Sequence, residues 1–137
     1  MSFLSAVRTC LAQYASFRGR ARRSEYWFFT LFVVLTNLLG SALKAALANA
    51  APENAVIIFA LVFDLLYLAL LLPHLAVTTR RLHDTDHSGW WILIGLIPVI
   101  GTIIVLIWMC TPGDDGPNRF GPPPTSSMPP HPAAAVA

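Results

Sequence analysis

Three long runs almost free of charge decide what this chain can fold into. No Asp, Glu, Lys or Arg stands between Glu25 and Lys44, Asp64 alone stands between Glu53 and Arg80, and none stands between Asp86 and Asp114. Such runs match the roughly 20 apolar residues that a helix needs to cross a hydrocarbon core. Hydrophobic residues make up 55% of the chain and charged ones 12%, about half the usual charged share of a soluble domain. Lipid rather than a folded core is therefore expected to cover the apolar surface. No basic face interleaved with stacking aromatics is present, which argues against a nucleic-acid partner. The N-terminus lacks a basic tip, apolar run and small-residue cleavage site, so no cleavable signal peptide is expected.

Phe3, Val7, Leu11 and Tyr14 recur at helical spacing, with Cys10 and Phe17 alongside, while Ser5, Arg8, Thr9, Gln13 and Ser16 fall mostly on the other face. This predicts an amphipathic helix over about 3–17, lying in the membrane interface. Gly19 permits a sharp turn, and Ser24 suits the N-cap of the first span. Spans are expected over about 26–46, 55–79 and 90–110, with Tyr26, Trp27, Trp90, Trp91 and Trp108 at headgroup boundaries. Pro98, between Gly95 and Gly101, should kink the third. Thr111-Pro112 stops it, and the Pro-rich residues 122–137 should form a disordered tail. The expected fold class is an all-α integral membrane protein. It has one membrane domain, 1–121, made of an N-terminal amphipathic interfacial helix plus three transmembrane helices.

Basic residues set the orientation. Arg8, Arg18, Arg20, Arg22 and Arg23 precede the first span, and Arg80 and Arg81 follow the second, seven on one face. Lys44 and Arg119 make two on the other. The positive-inside rule then puts the N-terminus and the Arg80 block in the cytoplasm. With three through-spans the C-terminal tail lies outside, and Cys10 and Cys110 lie on opposite sides of the bilayer. A re-entrant third segment would reverse the tail alone.

The run from Phe17 to Trp27 resembles the opening signature of the domain-of-unknown-function family 805, small bacterial inner-membrane proteins. Arg80-Arg81-Leu82-His83-Asp84 with Ser88-Gly89-Trp90-Trp91, then Ile97-Pro98 and Gly101, resembles its second signature. Thr111-Pro112-Gly113 with Asn118-Arg119-Phe120-Gly121 resembles its third. The resemblance covers Phe17 to Gly121 in the family's order. It implies an integral inner-membrane protein and brings no activity. Asp64, His87 and the Pro-rich end lie outside the matching positions.

Several constellations bear on chemistry. Arg18, Arg20, Arg22, Arg23, Arg80 and Arg81 face one leaflet and would attract anionic lipid headgroups. They would also serve, with Glu25, Asp84 and Asp86, to dock the N-terminal elbow onto the Arg80 block through ion pairs. His83 and His87, four apart with carboxylates between, suit a divalent metal only if the segment is helical and both point to one place. A closed site needs about four ligands, so no metal site is assigned. Asp114-Asp115-Gly116 lacks the ligand spacing of a calcium loop and reads as a turn. Within the membrane, Asp64 is the costliest residue and should face protein or water. It is expected near mid-depth, level with Asn37 and Ser41, with Lys44 able to reach it. His74 beside Pro73 is the other embedded polar group.

No nucleophile–base pair, phosphate loop or carboxylate pair can be assembled, so no enzyme and no cofactor are expected. The reading is a membrane protein acting through lipid or protein contacts, as a homo-oligomer or as a subunit beside a membrane-protein partner. The alternative is a small transporter or channel component that uses Asp64 and the proline-broken helices.

Overall fold

The computed structural model describes residues 1–124. The tail expected to be disordered lies, from residue 125 onward, outside the described residues. All regular structure among the described residues is helical: α1 (Phe3–Ala12), α2 (Arg23–Ala50), α3 (Glu53–Asp84), a 3-10 helix (Gly89–Leu96) and α4 (Ile100–Cys110). The chain divides into two units. Unit 1 comprises Met1–Ser16 and Ser24–Ala76, and unit 2 comprises Phe17–Arg23 and the chain from Val77.

Unit 1 is a hairpin of long apolar helices with α1 against it. Its two helices outlast the expected spans, at 28 and 32 residues, about 42 and 48 Å. Both are long and apolar enough to cross a membrane. They carry their large side chains on the outside: Leu39, Leu61 and Leu65 are 63%, 65% and 68% exposed. An apolar surface of that extent needs an apolar solvent. Inside the hairpin the tip of the Phe63 ring lies over Gly40, where a Cβ would come within 1.9 Å of it. Pro73 sits inside α3 without ending it.

Two local expectations change here. α1 stops at Ala12 rather than near residue 17, with the Gln13 N–H on the Thr9 carbonyl. Its face is also split. Ala6, Val7 and Cys10 are buried, Leu4 and Leu11 stay exposed, and the Phe3 ring meets Phe28 edge-on at 6.1 Å. The small Ala6 and Cys10 let α1 approach closely, so it packs with its own unit instead of turning its whole apolar face outward. Ser24 lies within the first turn of α2, which begins at Arg23, and so does not cap it.

The largest departure from expectation falls on residues 90–110, which form no single helix long enough to cross a membrane. The 3-10 helix and α4 contain 8 and 11 residues, each about 16 Å long, half of a 30 Å core. They make a hairpin: Trp91 and Trp108, expected at opposite boundaries, have ring centroids 5.5 Å apart. Pro98 supplies no N–H and excludes a helical Ile97; Ile97 is extended, at φ −77 and ψ 114. Val99 takes φ 64, costly for a β-branched residue. Gly101 completes the reversal, since a Cβ there would stand 1.7 Å from the Ile94 carbonyl oxygen. The expected kink is a full break.

Candidate functional site

The last turns of α3 carry the densest polar constellation, all within unit 2. A helix end leaves its final carbonyls without intrahelical partners, and here partners come from three segments of chain. Leu82 O accepts from the Thr85 and His87 N–H groups, His83 O from Asn118 Nδ2 at 2.9 Å, and Asp84 O from the Asp114 N–H at 2.9 Å. The Ala21 N–H donates to Arg80 O at 3.0 Å, fastening the elbow beside them.

Asp84 is the centre. Arg20 Nε donates to its Oδ1 at 2.8 Å, with side-chain exposures of 1% and 7%, and Arg81 Nη1 donates to its Oδ2. The rest of each guanidinium grips backbone. Arg20 Nη1 donates to Gly116 O at 2.7 Å and its Nη2 to Asp114 O, while Arg81 donates to Met109 O at 3.4 Å and to Thr111 O. A planar fork with five donors can do this and an ammonium cannot. Burial pushes the Arg81 pKa down, Asp84 pulls it back up, and Arg23 and Arg20 push it down again. Gly113 lets the loop close over the carboxylate, since a Cβ there would stand 2.0 Å from Asp84 Oδ2.

His83 completes the cap. Its Nδ1 donates to Gly19 O at 3.1 Å, at the turn where Gly19 takes φ 83, and its ring stacks on Phe120 at 3.8 Å. Burial lowers its pKa below the usual value, the Gly19 contact opposing and Arg119 adding to the shift. His87 faces elsewhere, 3.0 Å from Thr85 Oγ1 and with its ring 4.4 Å from that of Trp108. The two imidazoles therefore do not converge, and no cluster of three or more metal-ligating side chains occurs among the described residues.

The expected ion pairs are redistributed. Of the N-terminal arginines, Arg20 takes Asp84, whereas Asp86 pairs with the exposed Arg119 at 3.1 Å. Arg80 is buried, Arg22 half-buried and Arg18 exposed. Arg23 is exposed and donates from Nη1 to Cys110 O at 3.4 Å. That contact brings Cys110 beside the N-terminal arginines, which a through-going third span would keep apart. Because 90–110 doubles back, α4 ends beside the elbow. Glu25 is buried in unit 1, where the Cys10 thiol donates to it at 3.8 Å.

In unit 1, Lys44 Nζ meets Asp64 Oδ1 at 2.5 Å, the carboxylate side chain 65% exposed. Asn37 and Ser41 are exposed, and the polar contact to Asp64 comes from Lys44. Asp64 lies 16 residues before Arg80 on α3, about 24 Å. Along α3 it stands nearer the Glu53 end than the Asp84 end. His74 Nε2 is 3.2 Å from Thr30 Oγ1 at a cavity of about 150 Å³ that Tyr67 also lines.

Sequence reasoning missed the 113–121 loop as part of the site. Gly113, Asp114, Gly116, Asn118 and Phe120 all touch the cap, yet a through-going third span assigned them to the opposite face. Their one signal was the polar motif itself, which has no reason to be elaborate in a mere exit from the membrane.

Residues 14–122 match the family model described as a protein of unknown function, DUF805. Inner membrane protein YhaH of Escherichia coli (strain K12) is 45% identical over 118 residues, covering 83% of this chain and 91% of its own. Inner membrane protein YhaI of the same strain is 41% identical over 112 residues, covering 81% and 87%. No solved structure matches.

Proposed function

The chain belongs to the DUF805 family of membrane proteins, and from that premise we propose a non-enzymatic inner-membrane scaffold with a cytoplasmic cap. It acts through lipid and protein contacts, as an oligomer or a subunit. In this reading α2 and α3 cross the bilayer, and the 3-10 helix and α4 form a re-entrant hairpin that enters and leaves the cytoplasmic leaflet. The cap on α3 then presents the elbow and the 111–121 loop on the cytoplasmic face. The observation that carries the reading is the double grip of Arg20 and Arg81 on Asp84, because it ties both segments to one end of a spanning helix. The positive-inside count supports it. With Arg119 on the cap's side the tally is Arg8, Arg18, Arg20, Arg22, Arg23, Arg80, Arg81 and Arg119, eight against Lys44 alone, the full Lys and Arg content of nine.

The native cysteines provide the test, since Cys10 is buried and Cys110 exposed. A membrane-impermeant maleimide should label Cys110 in inverted inner-membrane vesicles and spare it in right-side-out spheroplasts. Labelling in spheroplasts would restore a through-going third span and end the proposal.

A further inference from the structure

α4 carries an open groove of about 440 Å³ lined by Ile103, Leu106, Ile107, Cys110 and Thr111. The first four are spaced i, i+3, i+4 and i+7, one face of a helix, so the groove runs lengthwise for about 10 Å. Its walls are apolar apart from the Cys110–Thr111 end, and it holds no carboxylate. At that end stands Arg23, exposed, with one of its five N–H donors on Cys110 O. Among the described residues this carbonyl is the one hydrogen-bond partner Arg23 has.

The charge at the mouth is unbalanced. Arg20 and Arg81 are both committed to Asp84, and Arg23 lies close enough to oppose the charge of Arg81. Asp84 is shared by those two arginines, no ion pair among the described residues engages Arg23, and its positive charge stands at the end of the apolar face. A free anion has no use for the channel, and an apolar partner has no use for Arg23. An anionic amphiphile uses both.

We propose that this groove is a phospholipid site, in which an acyl chain lies along Ile103, Leu106 and Ile107 and an anionic headgroup phosphate is held by Arg23. The site rests on the re-entrant reading above, which opens the groove to the cytoplasmic leaflet at headgroup level. It assigns Arg23 a task separate from the cap: Arg20 and Arg81 hold the protein together, and Arg23 holds lipid.

The test is native mass spectrometry of the full chain in detergent, titrated with phosphatidylglycerol and, in parallel, phosphatidylcholine and inorganic phosphate. Wild type should retain one phosphatidylglycerol in preference to phosphatidylcholine, with millimolar phosphate failing to displace it. Arg23→Gln should bind about fivefold more weakly, the effect of one basic residue at a lipid surface. Leu106→Trp, which fills the groove and leaves Arg23 in place, should weaken retention at least as much, and Arg23→Lys should retain most of it. Circular dichroism melts accompany each variant, so that unfolding is read directly. Retention unchanged in both Arg23→Gln and Leu106→Trp overturns the site, as does displacement by phosphate alone. A change of copy number in Leu106→Trp would make the groove an interface between copies and overturn it equally. Cys110 labelling reads topology without lipid, so failure here with Cys110 cytoplasmic counts against the groove alone.

Discussion

The two units solve opposite problems with the same helix. From Glu53 to Ala76, α3 belongs to an apolar hairpin with a few isolated polar contacts, at Asp64, Ala69 and His74, and with its outer surface left for lipid. From Val77 to Asp84 it is buried almost residue by residue, Arg80 to Asp84 included, and most of its named contacts are hydrogen bonds. In the first region a misplaced side chain can swing outward at little cost. In the second the donors of Arg20, Arg81 and His83 have assigned acceptors, and a missing partner there leaves a buried polar group or charge. Specific geometry in this protein is therefore concentrated in the cap.

The sharpest break of that contrast is Asp84→Ala. It removes the shared acceptor of two buried guanidinium groups, and breaking such a pair costs on the order of 3–5 kcal/mol. Thermal melts in detergent should fall steeply, and limited proteolysis should open the 111–121 loop while the α2–α3 hairpin stays protected. Simultaneous loss of both units would show that the hairpin depends on the cap. Arg20→Lys should fall between this variant and wild type, because an ammonium can keep Asp84 but cannot also reach Gly116 O and Asp114 O.

A pair of glycine substitutions compares the units directly. At Gly113 a new Cβ meets the Asp84 carboxylate, which two arginines hold in place, so Gly113→Ala should cost about 1–3 kcal/mol, the usual price of overpacking. At Gly40 the clash is with the end of the Phe63 ring, half-exposed and able to rotate toward lipid. Alanine also gains about 1 kcal/mol of helix propensity there. Gly40→Ala should accordingly lie within about 1 kcal/mol of wild type. Equal melting losses in the two variants would erase the distinction drawn between the units.

Legibility from sequence divides along the same line. Lipid-facing runs announce themselves through missing charge, so α2 and α3 could be placed to within several residues, and Arg20 and Arg81 stood in view as candidate partners of Asp84. Hydropathy, however, cannot tell a through-span from a hairpin of two half-length helices. The decisive facts about 90–110 are local sterics: an extended Ile97 before Pro98, a positive φ at Val99 and a backbone approach that only Gly101 allows. A crossing segment puts Asp114, Asn118 and Phe120 on the face opposite His83 and Asp84, and no composition argument returns them to the contacts they make there. Arg119 carried a hint, since placing it on the far face worked against the positive-inside bias.

Acid should act on the cap through His83. Burial holds its folded pKa below the unfolded value, so unit 2 favours the neutral ring and the unfolded chain binds the proton more readily. Stability from this group is complete above the unfolded pKa, about 6.5. It is lost progressively as the pH falls from there through the lower folded value. Protease resistance of the 111–121 loop should therefore decline on acidification below about pH 6.5, while that of the α2–α3 hairpin declines less. His83→Gln keeps a donor for Gly19 O and cannot titrate; it should start weaker at pH 8 and give a flatter profile. An equally steep profile in that variant would assign the acid response to another group.

The smallest effect is expected where the sequence alone suggested the largest. An ionised acid at the bilayer centre would cost several kcal/mol, yet Asp64 is paired with Lys44 at 2.5 Å and most of its side chain is exposed. With the hydrocarbon region beginning near Thr79, Asp64 stands about 22 Å in, and some 8 Å from the far boundary. Lys44 can extend its ammonium over that distance. Asp64→Asn should then cost about 1 kcal/mol or less, because the neutral amide removes a charge that is costly in lipid and the lysine left behind turns to the boundary instead of staying buried. Proteoliposomes should pass neither protons nor sodium with either form. Flux in the wild type that disappears in Asp64→Asn at unchanged melting temperature would replace the scaffold by a transporter. A collapse of unit 1 without flux would instead put the pair deeper in the membrane and make the hairpin as exacting as the cap.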